Sequence, residues 1–168
     1  MQRLWAPWRE TYVANLSAKQ RDCVFCRILA DRNDKKHLIF IRKPDACAVL
    51  NLYPYSNGHC LVVPGRHVGD ISKLPQEEYA HLMELLREAK DLLQEVFKPQ
   101  GFNVGINLGR IAGAGIPGHL HIHIVPRWRG DHNFMPVTAD TKVISLSLTV
   151  IYKKLDDAYK KRHRETRK

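Results

Sequence analysis

From His119 to Val125 the chain alternates. His119, His121 and His123 occupy every second position, with Leu120, Ile122 and Ile124 between them. Period-two alternation predicts a β-strand with one polar and one apolar face, and Pro126, which cannot donate to a ladder, is expected to end it. Three further apolar runs, His37–Arg42, Ala46–Asn51 and His59–Val63, are separated by turn chemistry. Pro44-Asp45 is one connector and Pro54-Tyr55-Ser56-Asn57-Gly58, closing on an Asn-Gly signal, is the other, which predicts an antiparallel meander. The period then changes. Tyr79, Leu82, Met83, Leu86, Ala89, Leu93 and Val96 recur at helical spacing between Gln76 and Phe97. Pro75 suits the first helical position, Glu77 and Glu78 suit the positive end of the dipole, and Pro99 and Gly101 stop the helix. A strand over Phe102–Leu108 precedes the histidine strand. A second helix runs from Val143 to about Arg162 on Val143, Leu146, Val150 and Leu155. The expected fold class is α+β: a five-stranded antiparallel sheet with one long helix and a C-terminal helix.

The remaining segments are less regular. Residues 1–20, with Trp5, Pro7, Trp8 and Tyr12, read as an irregular arm packed by its aromatics. Cys23-Val24-Phe25-Cys26 opens a short turn, helical through Ile28, Leu29 and Ala30 in one reading, and Asp31 to Lys36 reads as a polar loop. At 168 residues the whole chain fits one domain. No apolar run approaches the length of a bilayer span, and Met1-Gln2-Arg3-Leu4-Trp5 does not open a secretory signal, so the expected location is the cytoplasm, with no membrane partner.

Charge narrows the partners. A formal net charge of +10 favours anions. Much of it lies at Lys153-Lys154 and from Lys160 to Lys168, which reads as a solvated basic helix end and tail (153–168) without aromatic interleaving. Nucleic acid is therefore not an expected partner. Of the four cysteines only Cys23 and Cys26 are closely spaced, and Cys47 and Cys60 sit in apolar runs as small buried hydrophobes. In a reducing compartment structural disulfides are not expected.

A row of three imidazoles contributes no packing that Val or Thr would not supply, and each titrates near neutrality. Two chemistries use such a row. One is a catalytic zinc with three imidazoles and a water, although positions i, i+2 and i+4 of a strand spread too far to converge easily on one ion. The other is nucleophilic attack by a neutral imidazole on phosphorus, with neighbouring imidazoles positioning protons and stabilising charge. Just before the row, Gly109-Arg110-Ile111-Ala112-Gly113-Ala114-Gly115-Ile116-Pro117-Gly118 carries more glycine than a hairpin needs. Close backbone approach to a phosphate accounts for that. The loop lacks the spacing of a P-loop or dinucleotide fingerprint.

His119-Leu120-His121-Ile122-His123-Ile124-Val125 resembles the histidine-triad motif, and the chain is similar to histidine-triad nucleotidyl hydrolases and transferases. It looks most like the branch containing bacterial diadenosine tetraphosphate phosphorylases. That branch is also matched at Leu4-Trp5-Ala6-Pro7-Trp8, Val125-Pro126-Arg127-Trp128, Gly130-Asp131, Asn133-Phe134 and Lys142-Val143-Ile144. The resemblance implies a catalytic His121 that attacks the α-phosphorus of a dinucleoside polyphosphate and carries the nucleotidyl group. It implies that His123 contacts the transferred phosphate and assists the leaving group, with His59 as a supporting imidazole. Asn51 matches the residue that holds the ribose, and a strand-end turn residue is its structural alternative. Asn107, Gly113, Ala114, Gly115, Ile116, Arg127 and Trp128 are the other expected substrate contacts. Relatives often carry Ser or Thr in the glycine-rich loop; here backbone N–H groups are left to serve.

By the same resemblance Cys23, Cys26, His67 and His119 bind one structural zinc per chain, which removes His119 from catalysis. No organic cofactor is expected. A homodimer joined sheet edge to sheet edge is implied; the sequence itself says only that an exposed edge needs covering. The alternatives in function are a nucleoside phosphoramidate hydrolase and a nucleotide-binding regulatory module with little turnover.

Overall fold

The computed structural model describes residues 23–131 and 144–165. The expected N-terminal arm, Asn133, Phe134, Lys142, Val143 and the end of the basic tail lie outside the described residues. Five strands form one antiparallel sheet: β1 Ile39–Arg42, β2 Ala46–Leu50, β3 Cys60–Pro64, β4 Gly101–Ile106 and β5 Ile122–Arg127, in the order β1-β2-β3-β5-β4. The first three are the expected meander. The chain then crosses through a long helix to the far edge, and β5 enters between β3 and β4.

One face of the sheet carries the main core. Phe40, Ala48, Leu50, Cys60, Val62, Ile122 and Ile124 pack there against the two long helices. The opposite face carries a smaller cluster in which Ile39, Cys47, Val49, Leu61 and Val63 meet Phe25 and Ile28 of α1 (Val24–Ala30). A short second helix, α2 (Asp34–His37), replaces the expected polar loop. Asn33 accounts for it: its side chain accepts a hydrogen bond from the Lys36 N–H at 3.1 Å and so satisfies one of the orphan donors of a helix start. Leu38 ends it in the left-handed region, at φ 59°.

The long helix α3 spans Gln76–Phe97, as its periodicity predicts. Its buried face is Leu82, Leu85, Ala89, Leu92 and Leu93, rotated from the expected stripe so that Tyr79, Met83, Leu86 and Val96 lie half-buried beside the core. Pro75 stands one residue before the helix, and the left-handed cap is Lys98 rather than a glycine. The last helix, α4, runs Leu148–Glu165, and Ile144 to Ser147 are not helical. Ser147 Oγ accepts from the Val150 N–H at 3.3 Å, a bond that opens a helix. No described helix is long and apolar enough to cross a membrane.

The strand expected over His119–Val125 is displaced. β5 begins at Ile122 and continues through Pro126 to Arg127. Proline is tolerated in this inner strand because the β3 pairing has already stopped at Cys60–Ile124, leaving only β4 beside it. The carbonyl of Pro126 instead accepts from Ser56 Oγ at 2.7 Å, and the missing N–H points to that same vacated side.

Candidate active site and metal centre

The three alternating histidines do not stand on one strand, because the first two precede β5. Leu120 N–H donates to Val68 O, which draws the chain away from β3 and lets His119 turn toward α1 and the loop after β3. His119 Nδ1 lies 3.3 Å from Cys23 Sγ and 3.5 Å from Cys26 Sγ, and Cys26 Sγ lies 3.2 Å from His67 Nδ1. The four ligand atoms all lie within 4.8 Å of one another, the one such group among the described residues. A tetrahedral site with bonds of about 2.3 Å to sulfur and 2.0–2.1 Å to nitrogen has ligand separations of roughly 3.3–3.8 Å. The cluster fits that size, and Cys23, Cys26, His67 and His119 could hold a metal ion.

Proton positions agree. His119 Nε2 lies 2.9 Å from the Pro64 carbonyl, which can only accept, so Nε2 carries the hydrogen and Nδ1 turns its lone pair to the thiols. An outer hydrogen bond of this kind is what orients a ligating imidazole. Burial and the adjacent Cys23 thiol push the Cys26 thiol up, so two thiolates here call for a cation between them.

The cysteine-bearing helix is fastened from its far end. Arg42, at the end of β1, donates to the carbonyls of Leu29 (2.9 Å), Ile28 (3.2 Å) and Asp31 (3.1 Å), and its Nε donates to Asp34 Oδ1 at 2.7 Å. These are the carbonyls a helix terminus leaves unsatisfied. Between the two cysteines, Phe25 is buried and sets its ring 5.3 Å from His119 and 5.2 Å from His121.

His121 is 6% exposed and borders a cavity of about 300 Å³ with Asn51, Tyr53, Tyr55, Asn107 and Gly113. Its Nδ1 lies 2.8 Å from the carbonyl of His119. Nδ1 therefore donates, and Nε2 bears the lone pair. Burial holds this imidazole below its ordinary range, against the opposing pull of the carbonyl, and so favours the neutral ring.

His123, whose ring centroid lies 5.1 Å from that of His121, is set by a different chain of bonds. The Tyr55 N–H donates to His59 Nδ1 at 3.0 Å. His59 must then carry its proton on Nε2, which lies 3.0 Å from His123 Nδ1 and donates to it. The proton of neutral His123 is consequently on Nε2. Tyr55 also stacks on His59, with centroids 4.6 Å apart, and encloses an imidazole that is fully buried.

The structure thus brings His121, His123, Asn51, Asn107, Gly113 and Gly115 to one cavity, with His59 buried behind it against His123. Asn51 sits just past β2 and presents Nδ2 3.4 Å from His59 Nε2, while its Oδ1 accepts from the Tyr53 N–H at 2.9 Å. Gly113 takes φ +92°, where a side chain would be strained, and its carbonyl accepts from Asn107 Nδ2 at 3.4 Å. Arg127 borders a neighbouring cavity instead. Ala114 is buried in its own turn, Ile116 packs against the α1 cluster, and Trp128 bonds through its N–H to Asp131; none of the three lines either cavity. Sequence reasoning missed Phe25, Tyr53 and Tyr55. The two tyrosines lie in a segment read only as a turn, although two aromatics flanking a proline beside Asn51 were a signal.

A family profile described as "HIT domain" matches residues 32–130. The chain is 41% identical over 151 residues to "AP-4-A phosphorylase" of Mycobacterium tuberculosis, covering 86% of this chain and 77% of that protein. It is 36% identical over 93 residues to "Bis(5'-nucleosyl)-tetraphosphatase [asymmetrical]" of Schizosaccharomyces pombe, covering 55% and 50% of the two chains. A Zn-bound histidine triad family protein from Mycobacterium smegmatis shares the fold at a TM-score of 0.69 and 24% identity, over 86% of this chain and 98% of that one. Motif, sheet and matched length agree, and the chain belongs to the HIT, or histidine-triad, family.

Proposed function

We propose that this protein is a nucleotide phosphorylase or hydrolase that cleaves dinucleoside polyphosphates of the diadenosine tetraphosphate type at the α-phosphorus, through a nucleotide bonded to His121. The observation that carries the reading is the bond from His121 Nδ1 to the His119 carbonyl, which leaves a buried, neutral imidazole with its lone pair on Nε2. Similarity to the tetraphosphate-cleaving relatives supports the substrate class.

In the proposed reaction His121 Nε2 attacks the α-phosphorus, and a phosphorus–oxygen bond to the leaving nucleotide breaks. The Nε2–H of neutral His123 donates a hydrogen bond to the departing oxygen, which leaves as the ionised phosphate of the released nucleotide. An acceptor then attacks phosphorus, loses its proton to solvent, and releases His121. Phosphate as acceptor gives ATP plus ADP from diadenosine tetraphosphate; water gives ATP plus AMP. His59 holds His123 in the donating tautomer. Asn51 and Asn107 contact ribose and phosphate, and the backbone at Gly113 and Gly115 approaches the phosphoryl oxygens. Ala114, Ile116 and Trp128 support the loops from behind.

Zinc is the proposed ion at Cys23, Cys26, His67 and His119. Four protein ligands make the site closed and structural, and its chemistry is to crosslink α1 to the segment bearing His121. The protein is proposed to act in the cytoplasm as a homodimer, in which a second copy covers edge strand β4, whose Val104 is 49% exposed.

The test is incubation with diadenosine tetraphosphate, with and without phosphate, followed by acid-free trapping of labelled protein. Label recovered on His121 supports the reading. Turnover with no adduct on that residue, or no turnover of any dinucleoside polyphosphate, overturns it.

A further inference from the structure

Beside the cavity bordered by His121 lies a second, of about 370 Å³. The two share three residues, Tyr55, Asn107 and His123, and only the first reaches His121. The floor of the second is the sheet itself. On β5 the residues after His123 that share its face are Val125 and Arg127, and opposite them on β4 stand Gly105, paired with His123, and Asn103, paired with Val125. Gly105 is the low point: a Cβ built there meets no atom within 4 Å. The far end is fixed by Arg127, whose Nε and Nη2 donate to Asp131 at 2.5 and 3.0 Å and whose Nη1 donates to Asn103 Oδ1 at 2.8 Å.

We propose that this trough over Gly105, running from His123 to Arg127, is a second binding site that takes the leaving part of a dinucleoside polyphosphate, its distal phosphates and second nucleoside. The inference rests on the proposed role of His121. Direction carries it: an imidazole displaces a group on the opposite side of phosphorus, and the chamber beyond His123 is where that group lies. Length agrees. At about 3.3 Å per residue, Arg127 stands about 13 Å along β5 from His123, a span of several phosphoryl units. Chemistry agrees as well. The trough offers amide groups at Asn103 and Asn107 and ends in a guanidinium, donors suited to phosphate oxygens. Asp131 offsets the charge of Arg127, so the far end is an ion pair rather than a bare cation and suits the second nucleoside beside the last phosphate. A mononucleotide fills the first chamber and leaves this one unused.

The experiment measures binding by calorimetry on the full chain, using AMP and a methylene-bridged, uncleavable diadenosine tetraphosphate, for the unsubstituted protein and for Gly105→Leu. The unsubstituted protein is expected to bind the dinucleotide 10- to 100-fold more tightly than AMP. G105L should bring the two affinities within about threefold while AMP binding stays unchanged. Val125→Trp, on the inner strand and away from the sheet edge, is the second variant and carries the same expectation should G105L alter oligomeric state or folding. Equal affinities in the unsubstituted protein, a ratio unmoved by both variants, or a parallel loss of AMP binding would overturn the inference. Failure of AMP to bind any form would instead overturn the parent reading.

Discussion

His59 Nε2 lies 3.0 Å from His123 Nδ1, and only one arrangement of protons makes that contact a hydrogen bond. The Tyr55 N–H already occupies His59 Nδ1, so the proton between the rings belongs to His59. His59→Ala removes the group that fixes the His123 tautomer without touching the attacking nitrogen. Turnover of a dinucleoside polyphosphate should fall about 100-fold, the lower end of what a positioned proton donor contributes. A substrate whose leaving oxygen gathers less charge as it departs should lose much less. Parallel kcat measurements on the two substrates check this, and equal losses would deny His59 the positioning role.

His121→Asn should lower turnover by at least roughly a thousandfold, as expected when a nucleophile is removed. His121 is not among the four residues that could hold a metal, so a metal bound there should stay. Metal analysis of the purified variant should match the unsubstituted protein; an emptied site would mean that His121 itself binds the metal.

Cys23→Ala, or prolonged chelation, should release close to one zinc per chain. Loss of the link between α1 and His119 should lower Tm by roughly 5–10 °C, at about 2–4 °C per kcal/mol for a chain of this size. Differential scanning calorimetry with and without chelator reads the shift, and an unchanged Tm after complete metal loss would remove the structural role.

Thiol labelling separates the cysteines. Cys47 and Cys60 are completely buried, and burial pushes the Cys47 thiol up to about 12 and Cys60 higher still. Neither is a thiolate at neutral pH, and neither should react with an alkylating reagent in the native protein. Mass spectrometry after chelation should find label on Cys23 and Cys26 alone. Label on Cys47 before unfolding would contradict the packing described for β2.

Arg42→Met should destabilise the fold by about 2–3 kcal/mol, the contribution of one or two charged hydrogen bonds at about 1.5–3 kcal/mol each, because three helix-end carbonyls lose their donor and water takes over part of that bonding. Arg42→Lys should not restore it, since one ammonium cannot reproduce the planar fork. Denaturant midpoints of the two variants provide the comparison.

Much of this was legible before any coordinates. Alternation from His119 to Val125, three short apolar runs and one long helical stripe are strong local periodicities, and they give the sheet, α3 and the order of elements. The four residues that could hold a metal were reached through a motif and a family resemblance, since nothing local connects Cys23 to His119. The misses have other causes. Whether Pro126 ends β5 depends on where β3 stops, a fact located sixty residues earlier. The short helix α2 turns on one capping side chain, Asn33, within an otherwise polar run. The row of histidines divides because Leu120 bonds to Val68 rather than to β3, and no period in the sequence encodes that partner.

The acceptor that orients His121 belongs to the main chain of His119. A point substitution at position 119 can delete an imidazole but not a carbonyl, so the anchor of the His121 ring is invisible to side-chain replacement. On the proposed reading, a descendant of this chain could lose the metal-fitting imidazole at position 119 and still hold the His121 ring, as long as Leu120 stays tied to Val68. Metal binding and the orientation of His121 would then be separately heritable.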